Sequence, residues 1–199
     1  PICTSYGVCG GCSMQHFEPS SQLAYKQRAF EETLRHVGNV RPDVILSPIS
    51  GPSHSYRHKA RFRVKFVEKK QKVLIGFNEK QSHFLTDMTA CSVIPSKISN
   101  LLGPLQLLFG QLSIKDQIPQ IEYASNQTRH ILVIRILKEL SDTDIRTLQL
   151  FQEANDIEFW TQTKGYETIQ PILEVMSREI IYSNTEFGLD FFFQPTSFT

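Results

Sequence analysis

The chain has no run of about eighteen apolar residues, so no segment can cross a membrane as a helix. It shows no basic opening followed by an apolar stretch and a small-residue cleavage site, so nothing reads as a secretory leader. Internal repeats and low-complexity tracts are absent, which excludes solenoids and disordered arrays. A Gly-x-Gly-x-x-Gly element between strand and helix is missing as well, so no nucleotide-type cofactor fold is visible. Cysteine is scarce, with 4 in 199 residues, and its crowding at one end argues for ligands rather than a spread disulfide framework. That usage fits a reducing, cytoplasmic setting. Apolar and charged fractions are ordinary for a globular protein with a real core.

What cysteine there is has a pattern. Cys3, Cys9 and Cys12 form Cys3-x5-Cys9-Gly10-Gly11-Cys12, and Cys91 stands alone far downstream. Two glycines between Cys9 and Cys12 let the backbone turn tightly, so both thiolates can point at one centre. Four sulfur ligands suit a tetrahedral zinc or an iron–sulfur cluster. A structural zinc usually takes two close pairs, and Cys91 has no near partner, so the three-plus-one arrangement favours a [4Fe–4S] cluster. Two disulfides, or four unrelated buried thiols, are the plainer alternatives, but scattered cysteines rarely give this spacing.

The net charge is only +1, yet it is unevenly placed. Arg57, Lys59, Arg61, Arg63, Lys65, Lys69, Lys70 and Lys72 are opposed in their stretch only by Glu68, whereas acids dominate from Glu139 onward. A basic end of this kind suits a polyanion.

In chain order, residues 1–17 lack a long periodic pattern and read as a ligand-bearing arm. Leu23, Gln27, Phe30, Leu34 and Val37 then make the stripe of an amphipathic helix, with Ser20 placed to cap its start and Gly38 to end it. A connecting segment rich in proline, serine and glycine follows. From Arg57 to Phe66 basic and mostly apolar residues alternate, which predicts a strand with Arg57, Lys59, Arg61, Arg63 and Lys65 on one face and no acid among them. Tyr56, His58 and Phe62 could stack on unpaired bases, although His58 and Phe62 share the apolar face and suit a core better. His16 and His83 read as structural histidines.

Lys72–Phe77 and Ser82–Asp87 are predicted partner strands of a meander. Ser96–Leu112 has helical period, with Gly103-Pro104 expected to kink or split it. Ile118–Ser125 and His130–Leu137 are predicted strands joined by a turn at Asn126-Gln127-Thr128. Ser141-Asp142-Thr143-Asp144 predicts a capping box opening a helix to about Ala154. Ile157–Thr161, Glu179–Tyr182 and Phe187–Phe193 are further strands. The expected class is α+β, an antiparallel sheet packed with helices plus the N-terminal iron–sulfur-binding arm.

The run from Tyr6 through Cys9-Gly10-Gly11-Cys12 to His16 resembles the cluster signature of the iron–sulfur-containing uracil-5-methyltransferases of large-subunit ribosomal RNA. The likeness extends through Gln22–Lys26, Tyr56–Phe62, Ile75-Gly76-Phe77, His83–Asp87 and Cys91-Ser92-Val93. Phe193–Thr199 is similar to the start of that family's Phe-x-Gln-Val-Asn motif, with Phe198 as the phenylalanine near the target base. The resemblance implies Cys3, Cys9, Cys12 and Cys91 as ligands of a [4Fe–4S] cluster and ribosomal RNA as partner of Arg57, Lys59, Arg61, Arg63 and Lys65. It implies methyl transfer from S-adenosylmethionine to uracil C5, after a cysteine thiolate adds at C6.

If all four cysteines bind iron, none is left to be that nucleophile. The expected reading is therefore a central domain without catalytic or cofactor-binding residues of its own, the S-adenosylmethionine domain lying elsewhere. Residues 1–17 would be the cluster arm and 18–46 a helix and linker that pack on the catalytic domain. Residues 47–199 would be the central RNA-binding domain. Deprived of that partner, the helix from Ser20 to Val37 is expected to self-associate. A non-catalytic iron–sulfur electron carrier and a zinc-stabilised RNA-binding module are the alternatives.

Overall fold

The structure, a computed structural model, describes residues 1–126, 128–184 and 189–193. After the arm comes helix α1, Pro19–His36, followed by strands β1, Lys59–Val67, and β2, Lys72–Gly76. Helix α2 spans Ser96–Gln111, and strands β3, Gln120–Ser125, and β4, His130–Arg135, follow it. Helix α3, Asp142–Asn155, leads into β5, Glu158–Gln162, and the short β6, Gln170–Pro171. Strands β7, Ile180–Asn184, and β8, Leu189–Phe193, form a separate antiparallel pair.

The main sheet has six strands in the order β2-β1-β3-β4-β5-β6. Its pairs are antiparallel except β4 with β5, which run parallel. The expected all-antiparallel sheet is thus corrected to a mixed one. The reason is α3, which carries the chain back so that β5 enters in the same direction as β4. That helix forms as expected: Ser141 accepts from the Asp144 amide while Asp144 reaches back to the Ser141 amide, the reciprocal capping box.

Local details differ from expectation. Residues 82–87 form no strand; an isolated bridge, Asn78 with Leu85, and the bond from Thr86 N–H to Phe77 O hold a loop instead. Gly76 allows that loop to come close, since a Cβ there would sit 2.3 Å from Thr86 O. Helix α2 is one element with Pro104 inside it, kept whole by burying Ile98, Leu102, Leu105, Leu108 and Phe109. Helix α1 opens on Pro19 after Glu18, with no side-chain cap from Ser20. Past its end Asn39 rather than Gly38 takes the left-handed conformation, at φ 50°.

The core lies between one sheet face and the helices α2 and α3, around Phe62, Ile75, Leu105, Phe109, Tyr123, Ile134 and Phe159. A smaller cluster of Ala124, Ile131, Val133, Trp160 and Ile169 fills part of the opposite face. Strands β3 and β4 are consequently buried on both sides. Helix α1 contributes no buried residue; Phe30 is 54% exposed and Val37 80%.

Candidate metal centre and nucleic-acid interface

The arm folds through turns, with Tyr6 N–H donating to Cys3 O and Cys9 N–H to Ser5 O. It then docks beside the loop after β2: Gly10 N–H donates to Asn78 O at 2.9 Å and Lys80 N–H to Val8 O at 2.7 Å. Glycine suits position 10 because a Cβ would sit 3.0 Å from Asn78 O. Gln15 Nε2 ties the arm to Ser92 Oγ, next to Cys91, at 3.1 Å. His16 contacts the Tyr6 hydroxyl, and its ring lies against Phe17, so it is structural as expected.

These contacts hold the arm beside the sheet. Cys9 and Cys91 are buried in the main core, Cys12 packs against it, and Cys3 is half-buried. No disulfide links them. Burial pushes the Cys9 thiol up, opposed by the Gly11 amide, and the charges of Cys12 and Cys3 push the same way as burial. Cys91 is likewise pushed up by burial, opposed by the amides of Val93 and Ile94, with Cys12 and Cys3 again acting on it. The Thr86 hydroxyl is buried without a hydrogen-bond partner. Among the described residues no three His, Cys, Asp or Glu side chains stand in ready geometry for one metal ion.

The basic strand forms with the alternation the sequence predicts. Lys59, Arg61, Arg63 and Lys65 point outward while Ala60, Phe62 and Val64 are buried. Arg57 lies just before β1, its amide bonded to Val93 O. Phe62 is core, against Phe77, and His58 bonds Ser125 Oγ; Tyr56 is exposed. Phe198 lies outside the described residues.

The cations are not without an acid. Register places Glu122 of β3 directly beside Arg61, and Arg61 Nε donates to Glu122 Oε1 at 2.8 Å. The Glu122 side chain is 4% exposed, whereas that of Arg61 is 54% exposed. Burial raises the Glu122 carboxyl, and the Arg61 guanidinium opposes that rise. Sequence reasoning missed Glu122 because only strand pairing brings it to Arg61. Arg63, further along, donates to Asn78 Oδ1 at 2.9 Å.

Two openings flank Arg61. The larger, about 670 Å³, lies between Gly10 and Gly11 of the arm, Arg61, Arg63, Phe77 and His83. It joins the cysteine-bearing arm to the basic face. The smaller, about 250 Å³, is lined by Arg61, Glu122, Arg135, Gln162, Lys164 and Tyr166. No helix among the described residues is long and apolar enough to cross a membrane.

No protein-family model matches the chain. Over all 199 residues it is 46% identical to the 23S rRNA (uracil(1939)-C(5))-methyltransferase RlmD of Cupriavidus necator, covering 45% of that protein. It is 47% identical to the RlmD of Thiobacillus denitrificans, covering 46% of it, again along its whole length. The chain thus spans less than half the length of the curated relatives it matches. Among solved structures it is similar to a Pyrococcus abyssi tRNA (uracil-54, C5)-methyltransferase in complex with S-adenosyl-L-homocysteine. That match has a TM-score of 0.60 at 17% identity, over 97% of this chain and 47% of the other, a likeness of fold.

Proposed function

We propose that this chain is the central, cluster-bearing, RNA-facing part of an enzyme that methylates C5 of a uridine in 23S ribosomal RNA with S-adenosylmethionine. The observation that carries the reading is identity of about half, along the full chain, to RlmD enzymes. A ribosomal-RNA substrate makes the setting cytoplasmic.

Cys3, Cys9, Cys12 and Cys91 are assigned as ligands of a [4Fe–4S] cluster. A single tetrahedral ion at about 2.3 Å from each sulfur needs thiolates roughly 3.8 Å apart. No three such side chains stand in that arrangement among the described residues, so the assignment rests on the spacing of the four cysteines and on the family resemblance. The Gly11 amide donates to Cys9 Sγ at 3.4 Å, a bond that opposes the rise burial imposes on that thiol. Bound there, a cluster supplies a cross-link between arm and sheet. This chain's residues do the rest: the arm walls one side of the larger opening, and Lys59, Arg63 and Lys65, with Arg57 before them, hold the RNA backbone. Phe198 is assigned a place near the target base.

With all four thiols committed to iron, the thiolate that attacks C6 and the S-adenosylmethionine site are assigned to the remainder of such an enzyme. The basic face weighs against a simple electron carrier. The test is transfer of labelled methyl from S-adenosylmethionine by the whole enzyme containing this chain. Label is expected in 5-methyluridine of a 23S transcript, and only when the enzyme retains its basic face. Label in transfer RNA alone, or on another atom, overturns the reading.

A further inference from the structure

The smaller opening beside Arg61 has a built polar floor. Cross-strand register sets Arg61, Glu122, Val133 and Trp160 in one row, and Arg63, Gln120, Arg135 and Gln162 in the next, on the same sheet face. The first row ends in the buried Val133–Trp160 cluster, so the floor is polar on one side and dry on the other. After β5 the chain turns at Lys164 and Gly165 and brings Tyr166, 38% exposed, to the rim. Two polar floor residues are almost wholly buried, Glu122 at 3% and Gln162 at 4%. At about 250 Å³ the space is smaller than the pockets of about 300–1,000 Å³ that take drug-sized ligands, and it suits one planar base.

Burying a carboxylate is costly unless it is paired and hydrogen-bonded, and Glu122 is held by Arg61 and Gln120. A carboxylate has about four acceptor positions, and the Arg61 and Gln120 donors both use Oε1, at 2.8 and 2.6 Å. Guanine is the base that presents two adjacent donors, N1–H and N2–H, on its Watson–Crick edge. Adenine and cytosine set a ring-nitrogen acceptor beside their amine, and uracil flanks its one N–H with two carbonyls; each would turn a lone pair toward the carboxylate. Guanine O6 needs a donor, and Arg135 and Lys164 stand on the same lining. Tyr166 offers a face for stacking.

We infer that this opening is a guanine-reading subsite for an unpaired nucleotide of the RNA, with Glu122 as its specificity-determining residue. It rests on the RNA-binding reading above, and it gives Arg61 a role distinct from its neighbours. Paired with Glu122, Arg61 presents a locally neutral hydrogen-bonding unit, whereas Arg63 and Lys65 make no ion pair among the described residues.

The test uses the whole enzyme and fluorescently labelled uridine hexamers carrying one central guanosine, inosine, adenosine or cytidine, measured by anisotropy at fixed salt. The guanosine oligomer should bind roughly ten- to a hundredfold more tightly than the all-uridine one, the range of one bidentate base contact. Inosine, which lacks the N2 amine, should fall between. Glu122→Gln should abolish the preference while leaving all-uridine binding unchanged or tighter, because the face then carries one negative charge fewer. An unfolded variant would not give that signature. Tyr166→Ala and Lys164→Ala, changes on the rim, should each weaken the guanosine oligomer selectively. Equal binding of all oligomers, or a preference that survives Glu122→Gln, overturns the subsite and leaves the functional reading standing. Failure to bind a 23S fragment at all would overturn that reading as well.

Discussion

Neutralising Arg63 and Lys65 together should change the salt dependence of RNA binding by a calculable amount. Both project from β1 on the outward face, at alternate residues and so about 6.6 Å apart along the strand. Neither has a carboxylate within ion-pair distance among the described residues, and Arg63 bonds only neutral oxygens in the contacts seen. Each phosphate neutralised on a single strand contributes about −0.7 to the slope of log affinity against log salt. Arg63→Gln with Lys65→Gln should therefore flatten that slope by about 1.4. Across a fourfold rise in salt, from about 50 to 200 mM, the variant's deficit should shrink roughly sevenfold. The control is Arg61→Gln with Glu122→Gln, which removes a 2.8 Å ion pair and leaves formal charge unchanged. Its slope should match the parent's. Filter binding of a 23S fragment over a salt series reads both variants. An unchanged slope in the first, or an equal drop in the control, would refute the assignment of phosphate contacts to this face.

Removing the Ser141 hydroxyl by Ser141→Ala should cost about 1 kcal/mol, the usual worth of an N-cap, and lower the melting temperature by a few degrees in calorimetry. Burial pushes the Asp144 carboxyl up, yet bonds from Ser113 and Ser141 outweigh it and leave it below the usual aspartate range. The stability this adds is fully present above the unfolded value near 3.8 and is lost as pH falls through the lower folded value. Asp144→Asn should hence flatten the acid limb of a denaturation series, and an unaltered limb would show that the bonds carry no net charge preference. On helix α1, where Phe30 is exposed and Leu23 and Leu34 are half-buried, Phe30→Asp should abolish self-association of the 199-residue chain in light scattering. A strict monomer at all concentrations before mutation would contradict that.

Local signals were the legible part. The alternation of β1 and the capping box at Ser141 each act over a few residues, and each formed as the sequence predicts. Three features depended on distant chain. The parallel entry of β5 needs the α3 crossover, and the pairing of Arg61 with Glu122 needs register between strands some sixty residues apart. Pro104 stays inside α2 because burial against the sheet outweighs one lost backbone bond, a balance that helix propensity alone does not contain. The strand expected at 82–87 gave way because the segment folds back on Phe77 and Glu79 through isolated bonds, with the arm occupying the place beside them. At the cysteines the spacing proposed four ligands. It could not indicate Thr86 or Gln15, whose buried polar atoms become apparent only once the arm has docked.

The central claim is a four-thiolate iron–sulfur centre pinning the arm to the basic sheet, and iron and acid-labile sulfide per chain test it most directly. Protein purified without oxygen should carry about four of each and be brown, with broad thiolate-to-iron absorption. Serine at any one of Cys3, Cys9, Cys12 or Cys91 should bleach it, and proteolysis should then reach residues 1–17 before the sheet. One zinc per chain, in protein made with ample iron and sulfide, would contradict the account.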